Sequence, residues 1–333
     1  MSKLDFATRG QPRRHAFELV QGYILCSVLA SLDDAGVLDK LEQDGLRVAD
    51  VGANAQLSRD TLYYLVDRGV VYPDGDTYRL TGYGTELFHD RGYIFWIAGG
   101  FGFPFLRFGD LVAGTHHYGT DITRDGRIVA VSSANLGLDD VKPYIHRILE
   151  ELDYTKVADL GCGNARNLIG IANAKGAAGI GVDIDADAIA EANKEIDNEG
   201  LTGKVKAVLA DASDPNAIPE LETVDLLVGF FFMHEVLGKG LEYFIEFVRG
   251  LSRRMPAGAH ILAVEVQPPT RDRAAPETFT PEFTLIHALM GQGLLDEDGW
   301  RDAFDQGGFD VVKSEHPNIP GGVIMLARNR GDQ

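Results

Sequence analysis

The segment Val157-Ala158-Asp159-Leu160-Gly161-Cys162-Gly163 places an acid near the end of a short apolar run and follows it with two glycines. The run predicts a buried strand, and the glycines predict a turn without Cβ atoms, where a ligand can lie against backbone. A helix predicted from Asn164 to Asn173 would direct its unsatisfied N–H groups back at that turn. Strand, acid, glycine turn and helix together describe a nucleotide-cofactor site. A dinucleotide fingerprint would carry a third glycine at position 166, which is Arg166 here.

Two more acids mark predicted strands, Asp183 ending one in Gly181-Val182-Asp183-Ile184-Asp185 and Asp211 following the next in Ala210-Asp211-Ala212-Ser213. An acid at Asp183 can accept both hydroxyls of a ribose, with Ile184 against an adenine face. One such aspartate alone is usually a solvated strand-end acid; three at the carboxyl ends of successive strands point to a ligand. A fourth strand closes with Phe230 and Phe231 and runs into Phe232-Met233-His234-Glu235. His234 stands at a strand's carboxyl end, where catalytic groups collect. It fits two roles. It can be a general base for an acceptor hydroxyl, or a metal ligand that needs partners. His287, 53 residues downstream in Phe283-Thr284-Leu285-Ile286-His287, is the candidate partner. A lone histidine on an apolar helix is more often a core residue, so spacing alone leaves both roles open.

The hydrophobic pattern supplies a scaffold for these groups. From Thr155 onward it predicts strands over Val157–Leu160, Gly179–Asp183, Val205–Leu209, Val224–Phe231, His260–Val266, Phe309–His316 and Gly322–Arg328. Helical segments separate the first five, as parallel strands require. Only Pro317-Asn318-Ile319-Pro320-Gly321 separates the last two, so they form an antiparallel hairpin. Leu138 to Leu152 predicts a connecting helix despite Pro143.

Ahead of this half, Pro12 to Leu41 is helical, with Phe17, Val20, Ile24, Val28 and Leu32 on one stripe and an interruption at Gly36. That stripe is either core or a partner surface. Val48 to Asn54 and Ser58 to Asp67 predict two helices, the second capped by Ser58. Val70 to Leu80 predicts a hairpin around Pro73-Asp74-Gly75-Asp76, which completes a winged-helix order. From Gly45 to Asp90 there are four basic and seven acidic residues, the reverse of a phosphate-tracking surface. The aromatic stretch Gly92 to Val112 reads as helix core or as a substrate pocket.

The net charge of −19 argues against nucleic acid and anionic membranes as partners. Cys26 and Cys162 are the two cysteines, so no disulfide framework is expected and a reducing cytosol fits. The first residues are polar and no uninterrupted apolar run reaches the ~18 residues of a membrane span. A cytoplasmic protein without membrane partners is the expectation.

Asp159-Leu160-Gly161-Cys162-Gly163, together with Asp183, Asp211 and the terminal hairpin, resembles the class I S-adenosylmethionine (SAM) methyltransferases. The resemblance covers about Thr155 to Arg328. It implies an α/β Rossmann-like sheet whose antiparallel ending is foreign to dinucleotide folds, and hence SAM rather than NAD. It places Asp159 at the methionine end of SAM, Gly161 and Gly163 beneath the cofactor, and Asp183 and Ile184 at ribose and adenine. Asp211 or the backbone of Ala212 would meet the adenine amino group, and Phe230 would lie below the methyl donor. Ala165 stands where the family usually has a third glycine. The N-terminal region looks like the winged-helix dimerisation domain of small-molecule O-methyltransferases. The implied organisation is a dimerisation domain over 1–92, a helical connector and substrate cap over 93–154, and a catalytic domain over 155–333, in a homodimer.

A narrower resemblance lies in His234-Glu235, Phe283-Thr284-Leu285, His287-Ala288-Leu289-Met290-Gly291, Asp298-Gly299-Trp300 and Gly307-Gly308-Phe309. These look like the metal-dependent 2-oxo acid C-methyltransferases of the phenylpyruvate and 2-ketoarginine type, which supply β-methyl amino acids for natural products. The resemblance implies His234 and His287 as ligands of a divalent metal, iron or zinc, with Glu235 beside them. Arg124, in Arg124-Asp125, would clamp the substrate carboxylate. The implied reaction is methylation of the β-carbon of a 2-oxo acid through a metal-stabilised enolate. A metal-free O-methyltransferase with His234 as base is the alternative.

Overall fold

The apolar stripe of the first forty residues lies on one helix, α1 (Phe6–Asp34), and Gly36 (φ 67°) turns the chain into α2 (Val37–Gln43). The stripe divides along its length. Leu25, Val28, Leu29 and Leu32 join a core with Leu38, Leu41, Leu62 and Leu65, whereas Phe17, Val20 and Ile24 stay exposed. The stretch His15–Asp34, with 20 residues and a mean hydropathy of 1.3, is long and apolar enough to cross a membrane by length and composition alone, a test that the core helix of a soluble protein also passes. Glu18 and Gln21 break the apolar run but leave the mean high.

Next come α3 (Val48–Val51), α4 (Ala55–Asp67) and the antiparallel pair β1 (Val71–Asp74) and β2 (Thr77–Leu80). The cap of α4 is Asn54 rather than Ser58. Asn54 Oδ1 accepts the Leu57 N–H at 3.1 Å, while Ser58 lies inside the helix and donates to the Gly52 carbonyl at 3.2 Å. Asn caps as well as Ser does, and its earlier position lengthens the helix by a turn. The unit closes with α5 (Gly82–His89), α6 (Arg91–Ile94), a π-helical turn (Phe95–Gly100), α7 (Gly102–Leu106), α8 (Phe108–Val112) and α9 (Gly126–Ser133). Its aromatic stretch is partly core: Phe95, Trp96 and Phe101 are buried, and Phe103 is 53% exposed.

The computed structural model describes residues 6–133, 138–269, 280–319 and 321–331. The chain divides between residues 136 and 137 into two compact units, inside the stretch expected to be a connector. Pro320 of the expected hairpin link lies outside the described residues.

The second unit runs α10 (Leu138–Glu150), β3 (Lys156–Leu160), α11 (Arg166–Lys175), β4 (Ala178–Asp183), α12 (Ala186–Asn198) and β5 (Val205–Leu209). It continues through β6 (Leu226–Phe230), α13 (Met233–Leu237), α14 (Leu241–Arg254), β7 (His260–Val266), α15 (Thr280–Leu289), α16 (Glu297–Gln306), β8 (Phe309–Glu315) and β9 (Gly322–Asn329). The seven strands order as β5-β4-β3-β6-β7-β9-β8, with β9 antiparallel to both neighbours and the rest parallel.

Period-two alternation sends side chains of every central strand to two cores. Ala158, Leu160, Leu227, Ile261 and Ala263 face a core with Met233 of α13, Phe244 of α14, and Trp300 and Phe304 of α16. Val157, Leu226, Val228, Leu262 and Val264 face the other, with Val141 and Ile145 of α10, Leu168 of α11 and Ile189 of α12. Helices therefore cover both faces of the sheet. Phe244 meets Trp300 edge to face at 5.2 Å, and truncating such a buried ring to alanine costs about 3–5 kcal/mol. This packing fixes the strand ends that carry the site.

Candidate active site

The carboxyl ends of β3, β4, β5 and β6 form one edge, and the expected cofactor residues fall along it. Asp159 is buried in β3, one residue before the strand ends. The chain leaves β3 at Gly161 (φ 70°), whose N–H donates to the Val182 carbonyl at 2.8 Å. A Cβ there would stand 3.1 Å from the Phe232 ring, a tight contact added to a left-handed backbone that L-residues rarely adopt. Gly163 (φ 50°) donates its N–H to Asp183 Oδ2 at 2.9 Å, and its missing Cβ faces open space. Helix α11 begins at Arg166, two residues later than expected, because Ala165 takes left-handed backbone (φ 62°). That conformation costs an L-residue roughly 1–2 kcal/mol.

The three acids differ in what they hold. Asp183 Oδ1 accepts the Asp185 N–H at 3.0 Å, so this carboxylate already ties the β3 and β4 turns together. Burial, reinforced by the charge of Asp183, pushes the Asp159 carboxyl up to about 8. Burial likewise raises the Cys162 thiol, which makes it a poor nucleophile. Asp211 Oδ1 accepts the Ser213 hydroxyl at 2.6 Å and the Ser213 N–H at 2.9 Å. The Ser213 hydroxyl bond is the main cause holding its carboxyl below the usual range. Ile184 is 74% exposed at the end of β4, Ala212 is buried, and Phe230 is half-buried.

The expected reacting residue His234 lies at the junction of β6, β7 and α13. Phe231 leaves β6 with left-handed backbone (φ 55°), and its N–H donates to the Val264 carbonyl at 2.8 Å. The next β7 residue is Glu265, fully buried. Its Oε1 accepts the N–H groups of Met233 at 2.7 Å and His234 at 3.3 Å, two donors that the first turn of α13 cannot satisfy itself. Its Oε2 accepts from His234 Nδ1 at 2.7 Å. A buried carboxylate requires such partners. The imidazole is thereby held as the Nδ1–H tautomer, with Nε2 as its lone-pair nitrogen.

His287 comes to the same place on α15. Its ring lies edge to face with His234 at 4.7 Å between centroids and 82° between planes. Its Nδ1 donates to the Phe283 carbonyl at 2.7 Å, and the Phe283 ring packs on it at 4.0 Å. Both histidines are buried. Each thus spends Nδ1 on an acceptor, the arrangement by which metal-ligating histidines are oriented through Nε2. Among the described residues no group of three or more His, Cys, Asp and Glu side chains is placed to hold a metal ion.

Glu235, next to His234, accepts from Gln292 Nε2 at 2.6 Å, and the Gln292 N–H donates to the His287 carbonyl at 2.8 Å. Gln292 therefore links the α13 and α15 segments. Arg124 belongs to the first unit, where its guanidinium lies 5.9 Å from the Phe101 ring centroid, and the adjacent Asp125 caps α9 by accepting the Ile128 N–H at 3.0 Å. Residues 270–279, in the segment between β7 and α15, lie outside the described residues. Two site residues escape sequence reading: Glu265 and Gln292. Glu265 leaves a signal, an acid inside the apolar run Ile261-Leu262-Ala263-Val264-Glu265-Val266. Gln292 leaves none.

Residues 157–254 match the family described as methyltransferase domain. Over 313 residues the chain is 28% identical to a 2-ketoarginine methyltransferase of Streptomyces arginensis, covering 89% of this chain and 88% of that one. Over 346 residues it is 26% identical to an indolepyruvate C-methyltransferase of Streptomyces griseus, covering 99% of each. Among solved structures, the mitomycin 7-O-methyltransferase MmcR superposes with a TM-score of 0.73 at 15% identity, covering 98% of this chain and 100% of that one. CalO1, a methyltransferase of calicheamicin biosynthesis in its SAH-bound form, does so with a TM-score of 0.65 at 20% identity, covering 99% of each. The fold and these likenesses define a SAM-dependent methyltransferase with the class I sheet. Its full-length relatives include enzymes named for methylating 2-oxo acids.

Proposed function

We propose that this enzyme transfers the SAM methyl group to the β-carbon of a 2-oxo acid, on the way to a β-methyl amino acid. The observation that carries this reading is the His234–His287 pair, two buried imidazoles at 4.7 Å with both Nδ1 atoms engaged. That donor set suits iron(II) or zinc(II), which His234 and His287 would hold. When bound, such an ion supplies Lewis acidity toward a chelating 2-oxo group and so acidifies the neighbouring β-C–H.

The chain's own groups do the rest. Glu265 fixes His234 in one tautomer and orientation. Glu235, restrained by Gln292, is the acid–base group for the β-proton. Arg124 is the partner for the substrate carboxylate. Asp159, Gly161, Gly163, Asp183, Ile184, Asp211, Ala212 and Phe230 seat SAM so that the carbanionic β-carbon and the methyl meet in line. The exposed Phe17–Ile24 part of α1 is the surface for a homodimer, and the α3, α4 and β1–β2 segment its winged-helix-like domain.

A second reading has its own observation. The 2.7 Å bond from His234 to buried Glu265 is also how a general-base histidine is oriented, which suits a metal-free O-methyltransferase. A panel of 2-oxo acids and phenols with SAM, run with iron(II), zinc(II) or chelator, decides between them. Methylated 2-oxo acid that disappears with chelator supports the first reading; a methyl ether formed in chelator supports the second.

A further inference from the structure

Lys239 follows α13 in Gly238-Lys239-Gly240 and reaches the end of β5. Its Nζ donates to Ser213 Oγ at 2.6 Å, lies 3.9 Å from Asp211 Oδ2, and sits 5.1 Å from the centroid of the Tyr243 ring. Ser213 is buried, and its hydroxyl donates to Asp211 Oδ1. The hydroxyl therefore accepts from lysine and donates to aspartate, so its rotation is fixed at both ends. Oδ1 of Asp211 is filled by the two Ser213 donors, which leaves Oδ2 as the oxygen for an incoming donor.

We propose that Lys239 is a positioning residue for the cofactor's base. It locks Ser213 onto Asp211, holds Oδ2 for the 6-amino group of adenine, and ties that recognition to the segment leaving the His234 helix. The proposal rests on the reading that the β5 end receives adenine. Geometry rather than charge carries the effect, because Lys239 and Asp211 are each about half exposed and a solvated ion pair contributes little. A 6-oxo purine presents an acceptor to Oδ2 and loses the bond that Lys239 prepares.

The test is calorimetric titration of S-adenosylhomocysteine and S-inosylhomocysteine into the full chain. Lys239→Met should weaken the adenosyl ligand about tenfold, the worth of one well-formed hydrogen bond, and the inosyl ligand less than about twofold. Lys239→Arg, which keeps a cationic donor, should restore adenosyl affinity to within about threefold of the original. Lys194→Met, which removes a lysine paired with Glu191 on α12, should change neither. Ser213→Ala removes the same link from its other side and should reproduce the adenosyl-specific loss, even if Lys239→Met fails to fold. Equal weakening of both ligands, or an unchanged adenosyl affinity, overturns the proposal. An unaltered chain that binds neither ligand overturns the underlying cofactor reading instead.

Discussion

Glu265 and His234 share one buried hydrogen bond of 2.7 Å, and the second oxygen of the same carboxylate holds the first N–H groups of the helix that carries His234. One side chain thus sets both the position and the tautomer of the imidazole. Glu265→Gln keeps the shape but loses the charge and one strong acceptor. The expected outcome is a fall in kcat of about 10–100-fold, as for outer partners of functional histidines. Steady-state kinetics on protein checked by circular dichroism measures it; a kcat within threefold of the original would remove Glu265 from the mechanism.

His287→Ala separates the two chemical readings. Under the C-methylation reading, bound iron or zinc falls from about one per chain to a small fraction, and turnover of 2-oxo acids falls by roughly 100-fold or more. Elemental analysis of the purified protein reads the first and a coupled methyl-transfer assay the second. Full turnover of His287→Ala in chelator would eliminate that reading and leave His234 as a metal-free base.

The raised Asp159 carboxyl predicts opposite pH trends for the free protein and its complex. Its folded value, about 8, lies above its ordinary value. Its contribution to stability is complete below the ordinary carboxylate range and is lost as pH rises through about 8. Thermal stability of the cofactor-free protein should therefore fall across that window. SAM is cationic at the end assigned to Asp159, so its binding favours the ionised carboxyl and its affinity should rise across the same window. Asp159→Asn should flatten both curves, as followed by thermal melts and SAM titrations at pH 6 to pH 9.

Gly163→Ala tests where the cofactor lies. The new Cβ would meet no protein atom within 4 Å, and the backbone, at φ 50°, would cost roughly 1–2 kcal/mol, or a few degrees in Tm. If SAM passes over this turn, its affinity should fall about tenfold or more, well beyond that cost. An affinity within twofold of the original would move the cofactor away from Gly163.

The sheet was legible because each strand is a short apolar run bounded by turn residues, and buried parallel strands look alike in any such fold. The predicted strands match the observed ones to within one or two residues, and the Phe309–Arg328 hairpin followed from the brevity of its link. Local choices between equivalent residues were less legible. Asn54 and Ser58 are both good caps, and only the observed backbone selects Asn54. Ala165 gives no sign in its side chain that it would take a left-handed conformation and delay α11.

By itself, then, the sequence determined the strands, the terminal hairpin and the acids at or near the ends of β3, β4 and β5, since those features depend on nearest neighbours along the chain. The order of the class I sheet came from the family resemblance. The tertiary structure alone decided that His234 and His287, 53 residues apart, meet edge to face. It also decided that Glu265 and Gln292 brace them. The reason is physical. Those contacts join β7, α13 and α15, whose approach is set by strand order and helix packing across a whole core, and no local pattern in any one segment encodes it.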